Sequence, residues 1–269
     1  MMSSVILIQL EETLLSIDSS RRQNLTEKIA QLQQQDTPVI CLTSKTRAEV
    51  ADWMLVVGLK SPLVVEAGSG IFIADGDRHF ATPDCVRLDN YQLHQLGCTY
   101  TEARAALKAV QEEINKILRG FGDMDEAAIQ TLLNTSKVTA RQVKAREFSE
   151  YFLTPNRLEI AQLQQVAQEY GFKIVPGSQL SLILGGKADL ATAVRWLKQQ
   201  YRSSQGSFRF VGLGCTEGDL SWLETVDFPL VIPHCDGAPV NLERQDGQII
   251  DRSGIEGWLK AIAQLDSIS

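Results

Sequence analysis

Two hydrophobic periods alternate along the first part of the chain, and their alternation predicts the fold class. Val5 to Leu10 is an apolar run interrupted at Gln9, as in a strand covered on both faces. Leu25, Ile29 and Leu32 then recur at helical spacing inside a polar stretch, and "PVICL" (38–42) is a second apolar strand. Val50, Trp53, Met54 and Val57 fall at i, i+3, i+4 and i+7, which predicts a helix, and Pro62 to Val65 opens a third strand. Repeated strand-helix-strand order implies a parallel sheet with helices on both faces.

The pattern changes at "EAGSGIFIADGD" (66–77), which reads as a glycine-containing turn, a strand and an Asp-Gly hairpin signal. Residues from about 80 to 178 are mostly helical in pattern. Leu107, Val110, Ile114, Ile117 and Leu118 are expected on one face of a long helix, followed by helices over Ala127–Leu133 and Arg157–Tyr170. Short strand candidates "EYFL" (150–153) and "FKIV" (172–175) lie between them. The parallel rhythm resumes with "LSLIL" (180–184), a helix from about Ala188 to Gln200, "FRFVGLG" (208–214) and Pro229–Ile232. The division expected is a core over 1–80 and 179–269, completed by both halves of the chain, with an inserted domain over 81–178.

Composition narrows the class. The 269 residues are 44% hydrophobic and 22% charged, as in an ordinary globular protein. Net charge is −7, and basic residues such as Arg141, Lys144 and Arg146 are interleaved with acidic ones such as Glu147. That arrangement argues against nucleic acid, which needs clustered cations for the phosphate backbone. No stretch approaches the roughly 18 apolar residues of a membrane span, and Met1-Met2-Ser3-Ser4 leads into a strand without the basic flank of a signal peptide, so the expected location is cytoplasmic. Cys41, Cys85, Cys98, Cys215 and Cys235 are odd in number, with no CxxC pair, which fits reduced thiols.

In an open parallel sheet the chemistry gathers at the carboxyl ends of the strands. Those ends read Gln9-Leu10-Glu11-Glu12-Thr13, Thr43-Ser44-Lys45-Thr46, Gly185-Gly186-Lys187 and Gly214-Cys215-Thr216-Glu217-Gly218-Asp219. Their order resembles the haloacid dehalogenase-like phosphatases, and the details resemble the mannosyl-3-phosphoglycerate phosphatase branch. "PVICLTSKTRAEV" (38–50) is similar to the second motif of that branch, and "PLVVEAGSGIFI" (62–73) to its Glu-Asn-Gly turn with Ala67 in place of Asn. "AREFSEYFL" (145–153) is similar to its cap motif, "LGGKADLATAV" (184–194) to its third motif and "IEGWLKAI" (255–262) to its final helix. The resemblance implies an α/β fold, a haloacid dehalogenase-like parallel-sheet core with an inserted α/β cap domain that closes by hinge motion.

It also locates the departures. The family has Asp-x-Asp-Gly-Thr after the first strand, the first Asp attacking phosphorus and the second serving as acid and base; this chain has Gln9 and Glu11 there, followed by Glu12. A neutral amide is a poor nucleophile and a weak magnesium ligand. Where the fourth motif reads Gly-Asp-x-x-Asn-Asp, the Asp that holds magnesium is replaced by Cys215, and Asp219 is retained. A thiol is a soft donor for a hard cation. Joint loss of nucleophile and metal ligand leads us to expect a phosphatase-like pseudoenzyme, with no cofactor unless the degenerate site still takes magnesium.

The resemblance places Thr43, Ser44 and Lys187 at phosphate contacts and Arg146 and Ser149 as cap residues reading a sugar phosphate or phosphoglycerate-like ligand. Two rival readings are an active magnesium-dependent glycosyl-3-phosphoglycerate phosphatase with a degenerate site and a scaffold that binds a protein partner. Plainer roles stand beside these. Thr43 reads equally as a strand-end hydroxyl satisfying backbone groups; a solvated lysine is the plainer alternative for Lys187, Cys215 is read as a small buried residue over a replacement nucleophile, and His234 as a loop residue over a ligand. Glu11, Glu217 and Asp219 form a possible rearranged cation cluster, and Arg146 with Glu147 a possible surface pair.

Overall fold

The computed structural model describes residues 3–10, 19–59, 62–155, 157–202, 208–233, 240, 242 and 244–267. Strand β1 (Ser3–Gln9) is followed by α1 (Ser19–Gln34), β2 (Val39–Leu42), α2 (Arg47–Val57), β3 (Leu63–Val65) and β4 (Gly70–Ala74). A hairpin of β5 (Val86–Leu88) and β6 (Tyr91–Gln95) leads to α3 (Tyr100–Glu113), α4 (Glu126–Leu133) and α5 (Lys137–Lys144). Next come β7 (Ser149–Leu153), α6 (Arg157–Glu169), β8 (Phe172–Val175) and β9 (Leu180–Gly185). The chain finishes with α7 (Leu190–Gln200), β10 (Phe208–Gly214), α8 (Leu220–Leu223), β11 (Phe228–Val231), β12 (Gln248–Ile249) and α9 (Gly254–Ser267).

Nine strands form one sheet in the order β12-β11-β10-β1-β2-β3-β4-β6-β5. The pairs from β12 to β3 are parallel, and β4, β6 and β5 extend that edge antiparallel. The apolar run of β1 is divided between two cores by the twofold alternation of a strand. Ile6, Ile8 and Leu10 pack with Leu25 and Ile29 of α1, Val50 and Met54 of α2, and Trp258 and Ile262 of α9. Val5 and Leu7 pack on the opposite side with Val194 and Leu197 of α7 and Trp222 of α8. Burying each such side chain contributes about 1.5–3 kcal/mol, so a strand flanked by helices on both faces needs apolar residues at successive positions.

Three expectations are corrected here. "LSLIL" does not continue the large sheet: β9 is the centre of a separate antiparallel sheet ordered β7-β9-β8. Its apolar run suits any strand buried on both faces, so composition alone did not identify its partners. The helix through Leu107 ends at Glu113, where Asn115 turns left-handed at φ 51°, and Ile117 is 90% exposed while Leu118 is buried. Residues 86–95, within the stretch read as mostly helical, form the β5–β6 hairpin, and the Asp75-Gly76 turn is followed by a loop before β4 meets β6.

The smaller sheet carries a buried carboxylate. Glu150 Oε1 accepts from Arg104 at 3.0 Å and from the Gly122 N–H at 2.8 Å, while Oε2 is buried without a hydrogen-bond partner among the described residues. Burial raises its pKa, more than Gly122 and Arg104 lower it. A carboxyl whose folded pKa lies above its unfolded value stabilises the protein at low pH, and that contribution is lost as pH rises through the folded pKa. Glu150→Gln, which stays neutral, is expected to be more stable than wild type at pH 7, with the advantage disappearing toward pH 4 in urea titrations at each pH.

Candidate functional site

Gln9 ends β1 between two neighbours. It is in register with Leu42 of β2, and Ile8 before it with Leu213 of β10, so the segments after Leu42 and Leu213 flank it. The two departures read from the sequence, at 9 and 215, therefore lie at the carboxyl ends of adjacent strands. Gln9 Oε1 is buried with no hydrogen-bond donor among the described residues. Glu11, the other first-strand candidate, and Glu12 lie outside the described residues, as do His234 and Cys235.

The glycines of β10 serve packing of α8. A Cβ at Gly212 would come within 2.7 Å of Trp222, and one at Gly214 within 2.8 Å of Asp219 Cβ and 2.9 Å of Leu223. Asp219 is buried beneath this turn and organises it. Its Oδ2 accepts from the N–H groups of Cys215 and Thr216 at 2.9 Å each and from the Thr216 hydroxyl at 3.0 Å, and Oδ1 accepts from Trp222 Nε1 at 3.0 Å. Both carboxylate oxygens are thereby committed to the chain's own donors. Cys215 is buried and outside any disulfide, and Glu217 is exposed, so the sequence cluster of Glu217 with Asp219 does not converge. Burial pushes the Cys98 thiol up to about 11, and it donates to the Phe148 carbonyl.

Magnesium requires hard oxygen donors, commonly carboxylates. Here Gln9 offers an amide, Cys215 a thiol, and Asp219 oxygens that four donors already use. Among the described residues no three His, Cys, Asp or Glu side chains gather as a metal group. The residues described do not fit a magnesium ion.

After β2 the chain turns sharply toward α2. Thr43 is buried and its hydroxyl accepts from the Lys45 N–H at 3.1 Å, the backbone-satisfying role. Thr46 caps α2 in a box with Glu49, each side chain bonding the other's backbone N–H, as "TRAE" signals. The Thr46 hydroxyl also donates to the Gln142 carbonyl at the end of α5, at 2.9 Å.

Glu66 joins this turn to the segment before β7. It is fully buried, and its carboxylate accepts from the N–H groups of Glu147 at 2.7 Å and Phe148 at 3.1 Å and from the Ser149 hydroxyl. Arg146, 5% exposed, lies beside it, Nε 3.4 Å from Glu66 Oε2 and donating to Ser149 Oγ at 2.9 Å. Its Nη2 donates to the Ser44 carbonyl at 2.9 Å, and its guanidinium stacks 4.3 Å from the Tyr151 ring. Arg146 Nη1 is buried with no acceptor among the described residues. Arg146 and Glu147 are not a surface pair, because Glu147 binds Arg47 at 3.0 Å. Lys187 is exposed in the turn after β9.

Arg146, Ser149 and Ser44 are thus brought together, beside Thr43. The reading of the sequence gave Glu66 no individual role. Its signal was a lone acid inside the apolar stretch "PLVVEAGSGIFI", since a carboxylate buried there needs partners. Glu66 and Ala67 both take positive φ, 48° and 57°. Ala67 occupies a left-handed position that costs a residue with a Cβ about 1–2 kcal/mol. Ala67→Gly is expected to raise stability by about 1 kcal/mol, read from the urea midpoint.

No protein-family model matches the chain. It is similar to a protein of Persephonella marina named glucosyl-3-phosphoglycerate/mannosyl-3-phosphoglycerate phosphatase, 28% identical over 259 residues that cover 96% of this chain and 95% of that protein. A protein of the same name from Methanococcoides burtonii is 27% identical over 272 residues, covering 98% and 97%. A solved haloacid dehalogenase-like hydrolase of Bacteroides thetaiotaomicron superposes with a TM-score of 0.66 at 12% identity, covering 98% of this chain and 99% of that one.

Proposed function

We propose that this chain, which has a haloacid dehalogenase-like fold and is 27–28% identical to proteins named glucosyl-3-phosphoglycerate/mannosyl-3-phosphoglycerate phosphatase, binds a hydroxylated anion without cleaving it. The ligand class is a phosphorylated or carboxylated sugar or glycerate. The small-sheet layer, from about residue 99 to 185, acts as its cap.

The observation that carries the reading is Arg146 Nη1, a buried cationic donor without an acceptor among the described residues. Leaving such a group unpaired costs about 1–3 kcal/mol or more, which an anionic oxygen placed against it recovers. Gln9 Oε1 is the complementary case, a buried acceptor that a ligand hydroxyl satisfies. Thr43, Ser44 and Ser149 surround the anion, and Lys187 supplies a second cation from the turn after β9. Phosphoryl transfer needs an ionised carboxylate to attack phosphorus, and the amide of Gln9 forms no acyl phosphate. Loss of groups that act as a unit lowers rates by about 10^4 to 10^6.

Calorimetry in EDTA with 3-phosphoglycerate and with a glycosyl-3-phosphoglycerate tests the proposal. Saturable binding is expected, weakened about tenfold or more by Arg146→Lys and by Lys187→Ala, since tenfold corresponds to about 1.4 kcal/mol. Phosphate release with magnesium should stay at background. Release that depends on magnesium and disappears in Gln9→Ala would establish an active phosphatase instead. Absence of heat, with a protein partner captured equally by wild type and Lys187→Ala, would favour the scaffold.

A further inference from the structure

A cavity of about 360 Å³ lies between α2 and α5, lined by none of the residues assigned to the anion site. We propose that it binds a neutral, polyhydroxylated ring, the hexose unit of a sugar, independently of the strand-end anion. The size falls within the range of small-molecule sites, which combine an aromatic wall with a few placed polar groups.

Trp53 supplies the wall. It packs partly against the large-sheet core and contributes to the cavity lining, a flat apolar surface suited to the C–H face of a sugar ring. Asp52 and Glu49 bring carboxylate acceptors from α2, and Thr139 and Gln142 bring a hydroxyl and an amide from α5. Lys45 and Arg22 complete the polar lining, so two cations balance two acids. A phosphate entering would meet both carboxylates, whereas hydroxyls both donate and accept and are served by every one of these groups.

The existing polar contacts at the cavity, one across it and one along its α2 wall, are long. Gln142 Nε2 lies 3.4 Å from Asp52 Oδ2, and Lys45 Nζ lies 3.7 Å from Glu49 Oε1. A hydroxyl between Gln142 and Asp52 exchanges one weak contact for two of ordinary length. The two walls come from elements that the Thr46–Gln142 bond already holds together, so the ligand enters a preformed gap and little ordering opposes binding.

The test uses the full chain with methyl α-D-glucopyranoside and methyl α-D-mannopyranoside, followed by tryptophan fluorescence and calorimetry. Saturable binding is expected with a Kd of about 1–10 mM, the range of a few kcal/mol of association free energy. Trp53→Ala should weaken it by about tenfold or more, and the helix-surface changes Asp52→Ala and Gln142→Ala by about three- to tenfold each, with circular dichroism unchanged. Saturating inorganic phosphate should leave the titration unmoved, which separates this site from the anion reading. The proposal is overturned if neither hexoside binds saturably, if Asp52→Ala and Gln142→Ala bind as tightly as wild type, or if the zwitterion glycine betaine binds here and the hexosides do not.

Discussion

Glu66→Ala is expected to cost about 3–5 kcal/mol, the loss typical when one member of a buried ion pair is removed and the other charge stays behind. The N–H groups of Glu147 and Phe148 and the hydroxyl of Ser149 lose their shared acceptor, and Arg146 loses its counter-charge 3.4 Å away. Denaturant unfolding reads the loss directly. Glu66→Gln keeps an acceptor oxygen in place and should cost markedly less. Glu66→Ala combined with Arg146→Met should lose less than Glu66→Ala alone, because the stranded cation has gone with its partner. Equal losses in the single and double variants would show that Arg146 does not depend on Glu66.

Asp219→Ala should cost about 3 kcal/mol and loosen the turn after β10. The substitution removes the acceptor for the N–H groups of Cys215 and Thr216 and leaves Trp222 Nε1 unpaired against the core. Two readouts follow. The urea midpoint falls, and Cys215, buried in the wild type, reacts faster with a thiol reagent in the native state. Asp219→Asn retains one oxygen and should fall between wild type and Ala. If magnesium stabilised wild type and this stabilisation vanished in Asp219→Asn, Asp219 would be a metal ligand after all.

Much of the large sheet was legible from local pattern. The apolar runs at 5–10, 38–42 and 208–214 became β1, β2 and β10 because a strand with helices on both faces must be apolar on both. Helix α2 was legible from the spacing of Val50, Trp53, Met54 and Val57, whereas the Thr46–Glu49 box that starts it is a local signal the reading did not use. That an amide stands at 9 and a thiol at 215, where the resemblance expects carboxylates, was equally plain, since residue identity needs no coordinates. The partners of β9 were not legible: Leu182, Ile183 and Leu184 are as apolar as any core strand, and pairing is a long-range property that composition does not encode. Ile117 failed for a local reason, a left-handed Asn115 that broke the helical count.

By itself the sequence determined which chemical groups stand at the strand ends, and hence that an amide and a thiol occupy positions where the resemblance expects carboxylates. Tertiary structure decided how those groups are spent. It committed both oxygens of Asp219 to one turn, buried Arg146 against Glu66 with Nη1 still unpaired, and placed Trp53 on a cavity shared with α5. The reason is that a donor or acceptor acquires a role from its partners, which lie within four residues for Asp219 but 82 and 96 positions away for Glu66 with Phe148 and Thr46 with Gln142.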